Sequence, residues 1–119
     1  MKKMVVVGMA FLAAGCASRG VAEDFKWKTE VPASVNKGLD MVFQVFATDG
    51  AGAKVQGVKY HYLVQWPGGS ATPLRRMGRT GENEKVRAGL QPGTALMVVT
   101  CEDRSGNQAK VDEVKFEVK

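Results

Sequence analysis

The feature that most limits what this chain can become is a period-two alternation of apolar and polar residues, interrupted by turn chemistry at a spacing of about ten residues. Residues 39–48 (LDMVFQVFAT) contain neither Gly nor Pro and are rich in aromatic and β-branched side chains. Successive side chains of an extended chain point to opposite faces. Leu39, Met41, Phe43, Val45 and Ala47 therefore share one face, and Val42, Gln44, Phe46 and Thr48 the other. Residues 58–66 repeat the pattern, with Val58, Tyr60, Tyr62, Val64 and Trp66 set against Lys59, His61, Leu63 and Gln65. Residues 95–102 place Ala95, Met97, Val99 and Cys101 together. Shorter alternations occur at Phe25, Trp27 and Thr29, at Val86, Ala88 and Leu90, and at Val114, Phe116 and Val118.

The weakest stretch is 72–83 (TPLRRMGRTGEN), where Leu74 and Met77 fit a short edge strand flanked by Arg75, Arg76 and Arg79. Basic residues on an edge discourage edge-to-edge pairing. Between the strands lie turn sequences: Asp49-Gly50-Ala51-Gly52, Pro67-Gly68-Gly69-Ser70, Gln91-Pro92-Gly93-Thr94 and Asp103-Arg104-Ser105-Gly106-Asn107. This is the pattern of an all-β domain of about seven short antiparallel strands, a sandwich or small barrel, with no helix beyond the leader.

The leader is residues 1–15. Lys2 and Lys3 precede an apolar run, residues 4–14, which ends in Ala13-Ala14-Gly15 against Cys16. A cationic start, a short apolar middle and small residues at the end form a secretory signal, expected to be helical. The run is too short to span a bilayer, which takes about 20 residues. The stretch Leu12-Ala13-Ala14-Gly15-Cys16 resembles the lipobox of bacterial lipoproteins. Alanine at position 13 is less common there than leucine. The resemblance implies cleavage between Gly15 and Cys16, lipidation of Cys16, and a protein anchored to a membrane of the bacterial cell envelope. Ala17 rather than Asp after the cysteine implies, in a Gram-negative cell, the outer membrane, facing the periplasm or the surface. The competing reading is an ordinary signal peptide cut near Ala17. Residues 16–23 then read as lipidated cysteine and tether, and 24–119 as the folded domain.

The stretch 90–107 (LQPGTALMVVTCEDRSGN) is similar to the penultimate strand region of immunoglobulin-like and fibronectin type III-like domains. Leu90, Pro92, Gly93 and Thr94 match its opening, and Asp103, Gly106 and Asn107 its exit. The resemblance implies an immunoglobulin-like sandwich. It departs at the usual tyrosine, whose place falls to Ala95 or Leu96, so no tyrosine corner is expected. Domains of this kind host many functions, so the fold alone assigns none.

The chain has 17 Lys plus Arg and 12 Asp plus Glu, and two of those lysines lie in the leader. The remainder is mildly basic, which does not by itself point to nucleic acid. If Cys16 carries lipid, Cys101 has no disulfide partner, and its apolar neighbours predict a buried, inert thiol. His61 is the only histidine, and no metal-ligand set, cofactor motif, small-molecule site or nucleophile elbow accompanies it, so no catalytic residue is assigned and no enzyme is expected. Asp49, Asp103 and Asp112 lack the spacing of a calcium loop and read as turn formers. Trp27, Tyr60, Tyr62 and Trp66 read as core rather than as a sugar platform. Arg75, Arg76, Arg79, Lys85 and Arg87, expected on one edge hairpin, are the candidate partner-binding residues. The function expected is a lipid-anchored envelope protein presenting its domain to a protein partner. The alternative is a module binding an envelope glycan or anionic polymer through the arginine hairpin or exposed aromatics.

Overall fold

Each alternating stretch buries its apolar face by pairing into a sheet, and the sheets bury those faces against each other. The computed structural model describes residues 20–69 and 74–119. The leader, the Gly15–Cys16 cleavage position and the lipidation position Cys16 lie outside the described residues. A single 3-10 turn, Ala22–Asp24, comes first. Strands β1 (Lys26–Glu30), β2 (Ser34–Val35), β3 (Asp40–Thr48), β4 (Lys54–Val55), β5 (Lys59–Gln65), β6 (Arg76–Arg79), β7 (Glu84–Arg87), β8 (Gly93–Glu102) and β9 (Gln108–Val118) follow. Seven of these have four or more residues, as the alternation predicts, and β2 and β4 have two.

In one sheet β3 is flanked by β1 and β4 and also pairs with β7. The other runs in the order β2-β9-β8-β5-β6. The chain starts in the first sheet with β1, crosses to the second with β2, and returns for β3 and β4. It then makes β5 and β6 in the second sheet, β7 in the first, and β8 and β9 in the second. That connectivity and layering define an immunoglobulin-like β-sandwich. One pairing departs from the all-antiparallel expectation: β2 runs parallel to the end of β9, with Ser34 opposite Glu117 and Val35 opposite Val118.

The core lies between the sheets. Met41, Phe43, Val45 and Ala47 of β3 face Tyr60, Tyr62 and Val64 of β5 and Ala95, Met97 and Val99 of β8. Phe43 and Tyr62 meet edge to face with centroids 4.9 Å apart. Leu39 and Leu90, expected on buried faces, are exposed: Leu39 directly precedes β3, and Leu90 lies three residues past the end of β7.

The two sheets are clasped at both sides by polar groups. On one side the chain passes from β6 to β7. Thr80 is fully buried there; its Oγ1 accepts from Val58 N at 3.0 Å and donates to Val55 O at 2.7 Å. Its own N–H donates to Val58 O, extending the β5–β6 pairing, and the next N–H, of Gly81, donates to Val45 O in the opposite sheet. Gly81 sits at φ +80°, where a side chain strains the backbone. On the other side a register shift in β9 between Lys110 and Asp112 adds one residue to the strand. It leaves Asp112 facing inward, opposite Val99, where its carboxylate accepts from Thr29 N of β1 at 2.8 Å.

Tyr60 is 0% exposed, and its hydroxyl has no hydrogen-bond partner among the described residues. Gly78 lies directly across from it; a Cβ there would stand 2.5 Å from the hydroxyl oxygen. Burial raises the Tyr60 hydroxyl well above its ordinary pKa of 10.0, with Glu84, Tyr62 and Glu82 adding to the shift. Burial likewise raises Tyr62, with Glu84 second.

Two predictions follow from this geometry. Thr80→Val leaves Val58 N–H and Val55 C=O without their side-chain partner, and costs about 2 to 3 kcal/mol in urea unfolding; Thr80→Ser keeps both bonds and costs about 1 kcal/mol or less. The native state holds the protons of Tyr60 and Tyr62 to higher pH than the unfolded chain does. Stability is therefore complete below the ordinary value of 10.0 and falls as pH rises past it. Urea midpoints taken from pH 7 to 11 should decline more steeply above 10 in the wild type than in Tyr60→Phe, which also removes an unpaired buried hydroxyl.

Candidate functional site

The five expected cationic residues do not form one hairpin. β6 and β7 lie in different sheets: β6 pairs with β5 and β7 with β3. The sequence showed two basic strands separated by a turn, and it was the buried Thr80 between them that turned the chain across the sandwich. Arg75 precedes β6, and Arg76 shares the strand face of Gly78. Arg79 lies on the opposite face and donates to Gly57 O at 3.0 Å, so it helps hold the β6 corner. Lys85 and Arg87 are on the outer face of the other sheet, each beside Asp40, at 3.9 and 3.5 Å. Arg75 and Arg76 are left as an exposed pair at the β6 edge.

The candidate aromatics also separate. Tyr60 and Tyr62 are buried. Trp27 is half-buried; its indole N–H donates to Ala22 O at 3.0 Å, and its ring meets Phe25 edge to face. Trp66, past the far end of β5, packs edge to face on Phe116. No two of them form an open stacking platform.

The side chains with titratable chemistry are accounted for locally. Asp49 Oδ1 accepts from Ala51 N and Ala53 N, and Asp103 Oδ1 from Ser105 N and Asn107 N, which is turn-forming work. Among the described residues no group of three or more His, Cys, Asp or Glu could hold a metal ion. His61 Nδ1 lies 3.3 Å from Gln108 Oε1, which also accepts from the Thr100 hydroxyl at 2.9 Å. Cys101 is 1% exposed and packs with Val58 and Ala22, as its apolar neighbours predict. Burial pushes its thiol up from the ordinary value.

What sequence reasoning missed is a surface. On the outer face of the five-stranded sheet, Leu63 of β5 stands opposite Val98 of β8, Leu96 lies two residues further along opposite Gln65, and Met77 of β6 stands opposite His61. Leu63, Leu96 and Val98 are half-buried, and Met77 is 52% exposed. They form an apolar stripe across three strands. Its rim is mixed in charge: Lys59, Arg79, Lys110 and Lys115 against Glu102, Glu113 and Glu117. The signal was present as the polar-face positions of β5 and β8, where Leu63, Leu96 and Val98 interrupt the expected alternation.

No family model matches the chain, and no curated protein does. Solved structures similar to it include a β-glucosidase from Listeria innocua, at 17% identity, covering 79% of this chain and 16% of that one with a TM-score of 0.47. Another is the PKD domain of an M14-like peptidase from a Thermoplasmatales archaeon, at 18% identity, covering 79% of this chain and 91% of that one with a TM-score of 0.46. A third is a CARDB domain from Pyrococcus furiosus, at 13% identity, covering 81% and 86% with a TM-score of 0.38. The chain thus spans about a sixth of the β-glucosidase it matches. The immunoglobulin-like class stands on the strand pairing above. Among the described residues no helix is long and apolar enough to cross a membrane.

Native Cys101 should react at least a hundredfold more slowly with an aromatic disulfide reagent than it does in urea, because the reacting species is an exposed thiolate. Stopped-flow absorbance in both states checks this. Equal rates mean that the Cys101 end of the sandwich opens readily.

Proposed function

We propose that this protein is a small lipid-anchored subunit of a bacterial cell envelope. Its immunoglobulin-like domain binds an envelope protein through the outer face of the five-stranded sheet. The anchor rests on the resemblance of residues 12–16 to a lipobox. The observation that carries the contact is the apolar stripe of Leu63, Leu96, Val98 and Met77. Apolar residues at the solvent side of a finished sheet add nothing to the core between the sheets, and a mixed polar rim around an apolar centre is the layout of a protein interface. Glycan stacking has little support, since the aromatics pack inward. Anionic-polymer binding keeps only Arg75 and Arg76 of the five cations at the β6 edge.

The test is site-specific photo-crosslinking in cells. A benzophenone side chain at Leu96 or Met77 should trap one discrete envelope protein, and the same group at Thr48, on the other sheet, should not. Crosslinks of equal yield at both sheets, or none, count against the stripe. Arg75→Ser with Arg76→Ser should leave the crosslink unchanged; its loss moves the contact to the β6 edge. In parallel, Cys16→Ser should abolish incorporation of labelled palmitate and slow removal of the leader. Processing at an unchanged rate without label favours an ordinary signal peptide.

A further inference from the structure

The opposite surface of the sandwich has a different chemistry. In an antiparallel pair, directly opposed residues share a face. Registers Lys26–Thr48, Lys28–Phe46, Glu30–Gln44, Thr48–Lys54, Val42–Lys85 and Asp40–Arg87 therefore place all of these side chains on the outer face of the sheet built on β3. Five are cations and two are acids, Glu30 and Asp40. The outer face of the five-stranded sheet has Lys59, Arg79, Lys110 and Lys115 against three acids. The excess of positive charge is thus concentrated on the β3 sheet. Lys26 and Lys54 have no ion-pair partner among the described residues, and Lys54 Nζ lies 4.3 Å from the Phe46 ring centroid. Val42, 50% exposed, sits among them beside Lys85.

We propose that this face docks the domain flat on an anionic lipid surface, with Lys26, Lys28, Lys54, Lys85 and Arg87 over the headgroups and Val42 and Phe46 at the centre of the contact. The proposal rests on the lipid anchor proposed above. Basic side chains are drawn to an anionic leaflet, and each contributes within a Debye length of it. One observation favours a lipid surface over a soluble polyanion. The cations are spread over β1, β3, β4 and β7 of a sheet face and do not line a groove. Gly20, four residues after Cys16, borders Lys59, His61, Glu102 and Gln108 at the Cys101 end of the sandwich, and the Ala22–Asp24 turn leads from there into β1. Four extended residues reach roughly 14 Å. An anchor at Cys16 thus keeps the whole domain close to its own bilayer, where the charge of this face selects the side that docks and weak charge–headgroup attraction suffices. Docked this way, the apolar stripe on the far sheet faces away from the membrane.

The experiment uses the processed protein as purified from cells, with mass spectrometry reading whether Cys16 is acylated. An environment-sensitive fluorophore is placed at Val42→Cys or, on the other sheet, at Gln65→Cys, Cys101 being buried and Cys16 either acylated or, in the unacylated preparation, changed to Ser. Acylated protein is reconstituted into preformed vesicles; unacylated protein is mixed with them. The expected result is a blue shift at position 42, and none at 65, with phosphatidylglycerol-containing vesicles. Phosphatidylcholine alone should give no shift, and roughly 0.5 M salt should reverse it. Lys26→Glu, Lys28→Glu and Lys54→Glu together should weaken docking roughly tenfold or more. Lys59→Glu, Lys110→Glu and Lys115→Glu, the same change in net charge, should leave it within about twofold of wild type. Circular dichroism confirms that both variants are folded. Equal shifts with neutral vesicles, equal loss in both triple variants, or an equal shift at position 65 overturns the proposal. So does a shift with soluble polyphosphate and none with vesicles, which assigns the face to a soluble polyanion. An unacylated mass refutes the anchor without deciding the face, which the vesicle shift then reads alone.

Discussion

Two sheets that bury apolar faces need something to fix how they sit, because hydrophobic contact is not directional. Here that task falls to two polar clasps, one at each side of the sandwich. Thr80 holds one side by giving its hydroxyl both an acceptor and a donor role in the dry interior. Asp112 holds the other by reaching from β9 to the Thr29 amide of β1. Both replace bonds that water would otherwise make, and a buried polar group left unpaired is costly. Each clasp is therefore a condition on the register of the strands around it. The β9 bulge exists at the point where Asp112 must face inward. The corner at Gly81 exists where the chain must leave one sheet for the other.

The strands were legible because alternation is a one-dimensional signal. The inward set of β3, β5 and β8 could be read directly, and Met41, Phe43, Val45, Tyr60, Tyr62, Met97 and Val99 are all buried. The basic stretch was not legible in the same way. Arg76, Arg79, Lys85 and Arg87 look like one hairpin until Thr80 is known to be buried, and burial of a threonine depends on partners over twenty residues away. Asp112 misled for a similar reason. Its role depends on a bulge, and a bulge reverses every later side chain with no mark in composition. The apolar stripe was visible in principle at Leu63, Leu96 and Val98. Nothing in a single strand says whether an apolar outer residue is covered by its neighbours or offered to something else.

The two outer faces divide the surface chemistry of the domain. One is apolar at its centre with balanced charges around it. The other is basic, with Val42 and the Lys54-capped ring of Phe46 among the cations. Face identity follows from the pleat, so the same alternation that builds the core also sorts the surface into two sides. The single-residue shift in β9 brings Glu113, Lys115 and Glu117 to the outer face as it turns Asp112 inward.

The short parallel pairing of β2 with β9 has a mechanical consequence. Lys119 N donates to Val35 O, Lys37 N to Lys119 O and Glu117 N to Ala33 O, so three bonds tie the start of one strand to the end of the other. Tension applied between Gly20 and Lys119 reaches β2 once β1 has parted from β3, and then pulls β2 and β9 past each other along their length. The three bonds then carry load together and must break at once, whereas a hairpin pulled from its open end parts one rung at a time. A domain tethered on one side and gripped on the other, once β1 has yielded, is held by this small patch.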